Sequence, residues 1–243
     1  MGMTGVLQAW SRNPRLRQRF ARVRRPAWLG TLRRPVPLSQ RWGFDRGSPV
    51  DRYYVEQFLA RQGSDIRGRV LEVKDSGYIR RFGHGVTRAD VIDIDSTNRQ
   101  ATIIGDLAHP DSLEPDAYDC CVVVQTLHHV LHPRSAVHTL YRALRPGGVL
   151  LVTLPSITRV DPDVPDTDYW RFTPAVCRRL FGECFGEECI QVDGLGNVLT
   201  SIAFLAGMAQ EELSRDELDR HDAAFPVIVS VRAVKVADSK RES

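Results

Sequence analysis

Beyond Gly63 the chain alternates between short, nearly continuous apolar runs and longer segments whose apolar positions recur every three or four residues. The runs at 69–73, 91–94, 101–104, 120–125 and 149–154 read as strands buried on both faces. Two more are expected at 189–192 and 227–234. Helical patterns lie between several of them. The clearest covers 133–144, just before Arg145-Pro146-Gly147-Gly148, and another runs over 174–181. A helix is also predicted ahead of the first strand. Ser48-Pro49-Val50-Asp51 offers a capping serine, a proline at the first helical position and an acid near the positive end of the dipole. Tyr54, Val55, Phe58 and Leu59 give that helix an apolar face, and Gly63 ends it. Strands alternating with helices predict an α/β, Rossmann-like doubly wound fold: a mostly parallel seven-stranded sheet with helices on both faces.

Composition sharpens this in two places. The chain has 243 residues, 42% hydrophobic and 26% charged, enough for one α/β domain with a real core. No apolar run approaches the roughly 18 residues needed to cross a bilayer, and no secretory signal is visible, so a cytoplasmic protein is expected. Five cysteines without a C-x-x-C pair suggest reduced thiols rather than disulfides or zinc. Charge is uneven. Residues 1–44 hold ten arginines and no acid, which leaves 33 − 10 = 23 basic against 30 acidic side chains in the remainder. A basic extension over 1–41 therefore precedes a mildly acidic domain over 42–243. Nucleic acid is not an expected partner, because its footprint normally spreads over the folded body. Leu16, Phe20 and Val23 fall at helical spacing among the arginines. That pattern suits peripheral contact with an anionic membrane or docking on a partner; the plainer reading is a solvated extension.

Ligands of doubly wound sheets bind beyond the carboxyl ends of the strands. The first strand ends in Val70-Leu71-Glu72-Val73, followed by Lys74-Asp75-Ser76-Gly77-Tyr78. Asp93 and Asp95 end the second, about 20 residues on, where an acid can accept from both hydroxyls of a ribose. Gly105-Asp106-Leu107 follows the third and can present a carboxylate to an adenine amino group. The fourth leads into Gln125-Thr126-Leu127-His128-His129-Val130.

This ordered series, with Leu144-Arg145-Pro146-Gly147-Gly148-Val149-Leu150-Leu151 as its most specific piece, resembles the class I S-adenosylmethionine-dependent methyltransferases of the type 11 group. The resemblance implies S-adenosyl-L-methionine as cofactor. It places Glu72 at the methionine-side loop, Asp93 or Asp95 at the ribose, Asp106 at the adenine, and Gln125 and His128 near the sulfonium. Arg46, Arg52, Tyr53 and Tyr54 on the preceding segment are candidates for the cofactor carboxylate or the acceptor. One departure stands out. The family's Gly-x-Gly-x-Gly places hold Lys74, Ser76 and Tyr78, and Gly77 alone is left to make the turn. An inactive scaffold on the same fold is the competing class of function. A nicotinamide dinucleotide enzyme is disfavoured, since a pyrophosphate needs the glycine turn even more.

Methyl transfer to a hydroxyl needs alignment and gains from a base, so His128 and His129 are the catalytic candidates. Packing against the sheet is the ordinary alternative for either. His128 and His132 share a metal-like spacing, but Pro133 interrupts it, and the acidic loop at 161–168 is as readily a solvated turn; no metal is expected. Asp168, Tyr169, Trp170 and Arg171 set aromatics beside charge on a loop above the cleft, and with Tyr53 they are the expected acceptor contacts. Trp42-Gly43 with Arg46-Gly47, and the run Tyr169-Trp170-Arg171-Phe172-Thr173, resemble segments of bacterial glycan and glycolipid assembly enzymes. The implied acceptor is a hydroxyl of a small molecule or of a glycan or glycolipid sugar.

Overall fold

The computed structural model describes residues 18, 22–24 and 30–236 of the chain. Two compact units divide after Pro37, slightly ahead of the boundary drawn from the arginine run. Ser39 explains the shift: its hydroxyl is tied to the amides of Arg41 and Gly43, which makes these residues part of the domain. In the first unit residues 18 and 22–24 are helical and Gly30–Leu32 form a 3-10 turn. The amphipathic helix expected through Leu16 and Phe20 falls outside the described residues.

The second unit carries strands β1 (Gly68–Val73), β2 (Val86–Asp93), β3 (Ile103–Ile104), β4 (Tyr118–Val124), β5 (Leu144–Pro155), β6 (Ile190–Leu195) and β7 (Ile228–Val234). Its helices are α1 (Val50–Arg61), α2 (Gly77–Phe82), α3 (Pro133–Ala143), α4 (Pro174–Phe185), α5 (Val198–Ala206) and α6 (Arg215–Asp219). They build one seven-stranded sheet in the order β3-β2-β1-β4-β5-β7-β6. All neighbours pair in parallel except β7, which runs antiparallel to both β5 and β6. The doubly wound, mostly parallel sheet expected from the alternation is the one observed.

The apolar runs are continuous because both faces of the sheet are covered. Alternate residues of a strand point to opposite sides. Cys121 and Val123 of β4 pack towards Leu140 of α3 and Phe181 of α4, whereas Cys120 and Val122 pack towards Phe58 of α1 and Phe204 of α5. Either face alone would have left an amphipathic strand.

Two local expectations are corrected. Pro49, not Ser48, is the residue ahead of α1, and no side chain caps that helix. The Ser48 amide is taken by the Glu211 carboxylate and its carbonyl by the Gln210 amide. The fifth strand, expected at 149–154, begins ahead of Arg145-Pro146-Gly147-Gly148, at Leu144. That segment falls inside β5, with a register shift in the β4–β5 ladder between Tyr118 and Cys120. Gly147 there has φ +83° and Gly148 leaves no room for a Cβ, which would sit 2.8 Å from the Arg145 carbonyl oxygen.

Candidate active site

A cleft of 910 Å³ opens where β1, β2, β3 and β4 end. Strand order reverses between β1 and β4, so the helices following them lie on opposite faces and leave a crevice there. Glu72 sits on its floor, buried, and accepts hydrogen bonds from the amides of Tyr78 (3.1 Å) and Ile79 (2.8 Å) at the start of α2. Burial raises its carboxyl from the ordinary 4.5 to about 7, against the pull of those two amides. The loop between them is turned by Lys74, whose φ of +75° is the left-handed conformation usually left to glycine. This corrects the expectation that Gly77 makes the turn. Gly77 instead opens α2 and donates to Asp75 Oδ1 at 2.6 Å, so close that a Cβ there would meet the same oxygen at 2.8 Å.

Tyr78, in the third glycine place, does not plug the crevice. Its ring lies nearly parallel to Phe82, with centroids 6.3 Å apart, and its hydroxyl accepts from Arg52 Nη1 at 2.8 Å. Arg52 is also 3.9 Å from Asp51, whose buried carboxyl is pushed upward by desolvation and held back by that guanidinium. Asp51, Arg52 and Tyr78 all line the cleft together with Glu72, Asp93 and Asp106. The sequence reading treated Asp51 only as a helix-dipole acid; its place in the wall follows from the packing of α1 over β1.

Asp93 reaches the cleft and Asp95 does not. Asp93 Oδ2 accepts from Asn98 Nδ2 (2.6 Å) and Oδ1 from the Asp95 amide (3.0 Å). A carboxylate has about four lone-pair sites, so two remain for a ligand. Asp95 turns away onto the amide and hydroxyl of Thr97. Gln125 follows β4 with φ +47°, and among the described residues its buried side-chain nitrogen has no partner. An orphaned amide donor and two carboxylates at neighbouring strand tips fit an adenosyl group, and the volume falls in the roughly 300–1,000 Å³ range of small-ligand sites.

Residues 77–152 match the family model of a methyltransferase domain. No curated protein matches the chain. Among solved structures, a methyltransferase from Archaeoglobus fulgidus superposes with a TM-score of 0.50 and 14% identity, over 76% of this chain and 94% of that one. Phosphoethanolamine N-methyltransferase 2 of Haemonchus contortus, solved with S-adenosyl-L-methionine, gives 0.52 and 14%, over 76% of this chain and 53% of that one. The fold is that of the S-adenosylmethionine-dependent methyltransferases. The match marks a methyltransferase-like segment over residues 77–152, and the superpositions show the fold.

On the side of the cleft beyond β4, the two histidines that follow this strand part company. His128 is buried, and its Nδ1 lacks a partner among the described residues. Burial, then the adjoining His129, push it down to about 3, with Asp168 opposing and Arg171 adding to the fall. It is a neutral ring near neutral pH. His129 places Nδ1 3.2 Å from the Thr167 carbonyl oxygen. A carbonyl can only accept, so this contact puts a proton on Nδ1, and in the neutral ring the lone pair then lies on Nε2.

The acceptor contacts expected on the loop also divide. Tyr169 lines the cleft, 43% exposed. Asp168 and Arg171 are engaged with each other through two bonds, Nη1 to Oδ1 (2.5 Å) and Nη2 to Oδ2 (2.9 Å). Those bonds hold Asp168 down at about 2 despite its burial. Arg171 further donates to the carbonyls of Thr158 and Arg159, so the pair braces two loop arms, with Asp168 in the cleft lining and Arg171 outside it. Trp170 is pinned by Nε1 to the Val130 carbonyl and stands outside the cleft lining. Ligating atoms of His128, His129 and Asp168 lie within 4.8 Å of one another, but the Asp168 oxygens already serve Arg171 and the Asp161 amide. Tyr53 leaves the site, its hydroxyl on Asp219 at 2.5 Å; Tyr54 is buried on the Leu218 carbonyl, and Arg46 pairs with Glu212.

Two outcomes follow from the β1 loop. Lys74→Gly relieves a left-handed lysine, partly offset by the freer unfolded chain, so urea unfolding should show a gain of about 0.5–1 kcal/mol. Glu72 has a folded pKa above its unfolded value, so the folded state holds the extra proton between about 4.5 and about 7. Stability from this group is complete below that window and declines as pH rises through it. The stability difference between wild type and Glu72→Gln should therefore move against wild type from pH 4.5 to 8; a difference independent of pH would remove Glu72 as the titrating group.

Proposed function

We propose that the protein O-methylates a hydroxyl of a small-molecule or glycan acceptor, most specifically a glycolipid sugar, with His129 as the base. The observation that carries this is the tautomer fixed at His129 by the Thr167 carbonyl, which aims a lone pair from a cleft-lining side chain. Bound S-adenosylmethionine supplies an electrophilic methyl on a sulfonium that already leaves readily.

The chain's own residues do the remainder. Asp93 and Asp106 take the nucleoside hydroxyls and amino group, and Arg52, presented beside Tyr78, takes the amino-acid carboxylate. Glu72 holds the loop and α2 in place through backbone amides, so the crevice is preorganised before any ligand enters. His129 Nε2 receives the hydroxyl proton as the oxygen attacks. His128, neutral and beneath it at a ring-centroid distance of 3.9 Å, keeps the pocket dry without adding charge. Exposed Phe44 and Tyr169 on the cleft wall give apolar faces of the kind on which a sugar ring stacks.

The inactive-scaffold reading loses support from the geometry at Lys74 and Tyr78, because the cleft beside Glu72 and Asp93 remains open. Titration calorimetry with S-adenosylmethionine separates the two: micromolar binding is expected, weakened at least about tenfold by Asp93→Ala, and no heat with wild type would leave a scaffold. In the same cleft His129→Ala should cut turnover by about 10²–10⁴ with cofactor affinity retained; unchanged turnover would remove His129 from catalysis.

No helix among the described residues is long and apolar enough to cross a membrane. The ten arginines of residues 1–44 support peripheral attachment to an anionic cytoplasmic membrane face, each worth about 1 kcal/mol near such a surface. Vesicles containing phosphatidylglycerol should sediment the full chain and release it at high salt. Equal sedimentation of a variant lacking residues 1–37 would remove the extension from that role.

A further inference from the structure

Arg159, which the sequence reading passed over, lines the cleft on the acceptor side. Its guanidinium carbon lies 3.8 Å from the centroid of Trp42, flat contact for a cation on an indole. Trp42 is fixed in turn, with φ +55° and its Nε1 donating to Thr158 Oγ1 at 3.3 Å. The backbone beneath Arg159 is clamped too, since Arg171 donates to the Thr158 and Arg159 carbonyls while held by Asp168. Rigid support from both sides is unusual for an arginine with no anion to serve.

None of the ion pairs among the described residues involves Arg159. Its one side-chain hydrogen bond is a long one, Nη1 to Gln40 Oε1 at 3.5 Å, and its buried Nε has no partner. A half-buried cation with an unsatisfied N–H is costly unless something completes it, and the guanidinium fork is shaped for two oxygens of one anion.

We propose that Arg159 on Trp42 is an oxyanion subsite for the acceptor: the molecule methylated carries a phosphate ester or a carboxylate beside its sugar ring. The inference rests on the acceptor reading above and narrows its class. Neutral sugars leave the Arg159 guanidinium without a counter-charge; an anionic sugar pairs with its Nη groups while its ring rests against the exposed aromatics of the same wall. The Asp168–Arg171 strut thereby gains a purpose as the support of Arg159.

The test uses the full chain saturated with S-adenosylhomocysteine, titrated with glucose 1-phosphate, glucuronate and methyl glucoside. Tighter binding of one anionic sugar than of methyl glucoside, by about tenfold or more, is expected, and the anion preferred tells phosphate from carboxylate. Arg159→Gln should abolish that preference while S-adenosylhomocysteine affinity stays within about twofold, and Arg159→Lys should restore part of it. The proposal is overturned if wild type shows no preference or binds none of the three, or if the preference survives in Arg159→Gln. It is also overturned if that variant loses S-adenosylhomocysteine, which would assign Arg159 to the cofactor carboxylate. Failure of wild type to bind S-adenosylhomocysteine at all would instead strike the methyltransferase reading.

Discussion

Everything at the site depends on the reversal of strand order between β1 and β4. Because α2 and α3 leave those strands towards opposite faces, the sheet cannot be closed over at that edge, and backbone ends and side chains are left around a shared crevice. Glu72 stabilises the crevice chemically. Its carboxylate replaces water at two α2 amides, which fixes the loop that a string of glycines would otherwise have to shape. A buried carboxyl with only backbone partners is a weak acid, and its raised pKa is the electrostatic cost of that arrangement.

The glycine-poor loop shows how a backbone path can survive a change of residues. Lys74 keeps the left-handed turn, at the cost of local strain of about 1 kcal/mol. Tyr78 has a side chain where the family has none, but the neighbouring Phe82 and Arg52 draw its ring and hydroxyl aside. Position in space, rather than residue type, decides whether the cofactor crevice is blocked.

The acceptor half follows a different logic, with few residues touching the open space and several holding them still. Asp168, Arg171 and Thr158 form a strut, Thr167 orients His129, and Trp42 carries Arg159. Loops of this kind can vary their contact residues while the supporting pairs keep the cleft in shape.

The sequence by itself determined the sheet and most of the cofactor half. Strands buried on both faces write continuous apolar runs, and strand tips are readable once the runs are placed, so Glu72, Asp93, Asp106 and Gln125 could be set at the mouth of the cleft, which all four line, from the chain alone. Only the tertiary structure separated Asp93 from Asp95, His129 from His128, and Tyr169 from Trp170, because each pair shares a local pattern and differs in the partner that captures one member. Arg159, and the cleft positions of Asp51 and Trp42, escaped the sequence reading for a related reason. Arg159 lies more than 100 residues beyond Trp42 and Asp51, and the three share a cleft only because the segment around α1 and the loop after β5 close over the same crevice, a proximity that no local periodicity encodes.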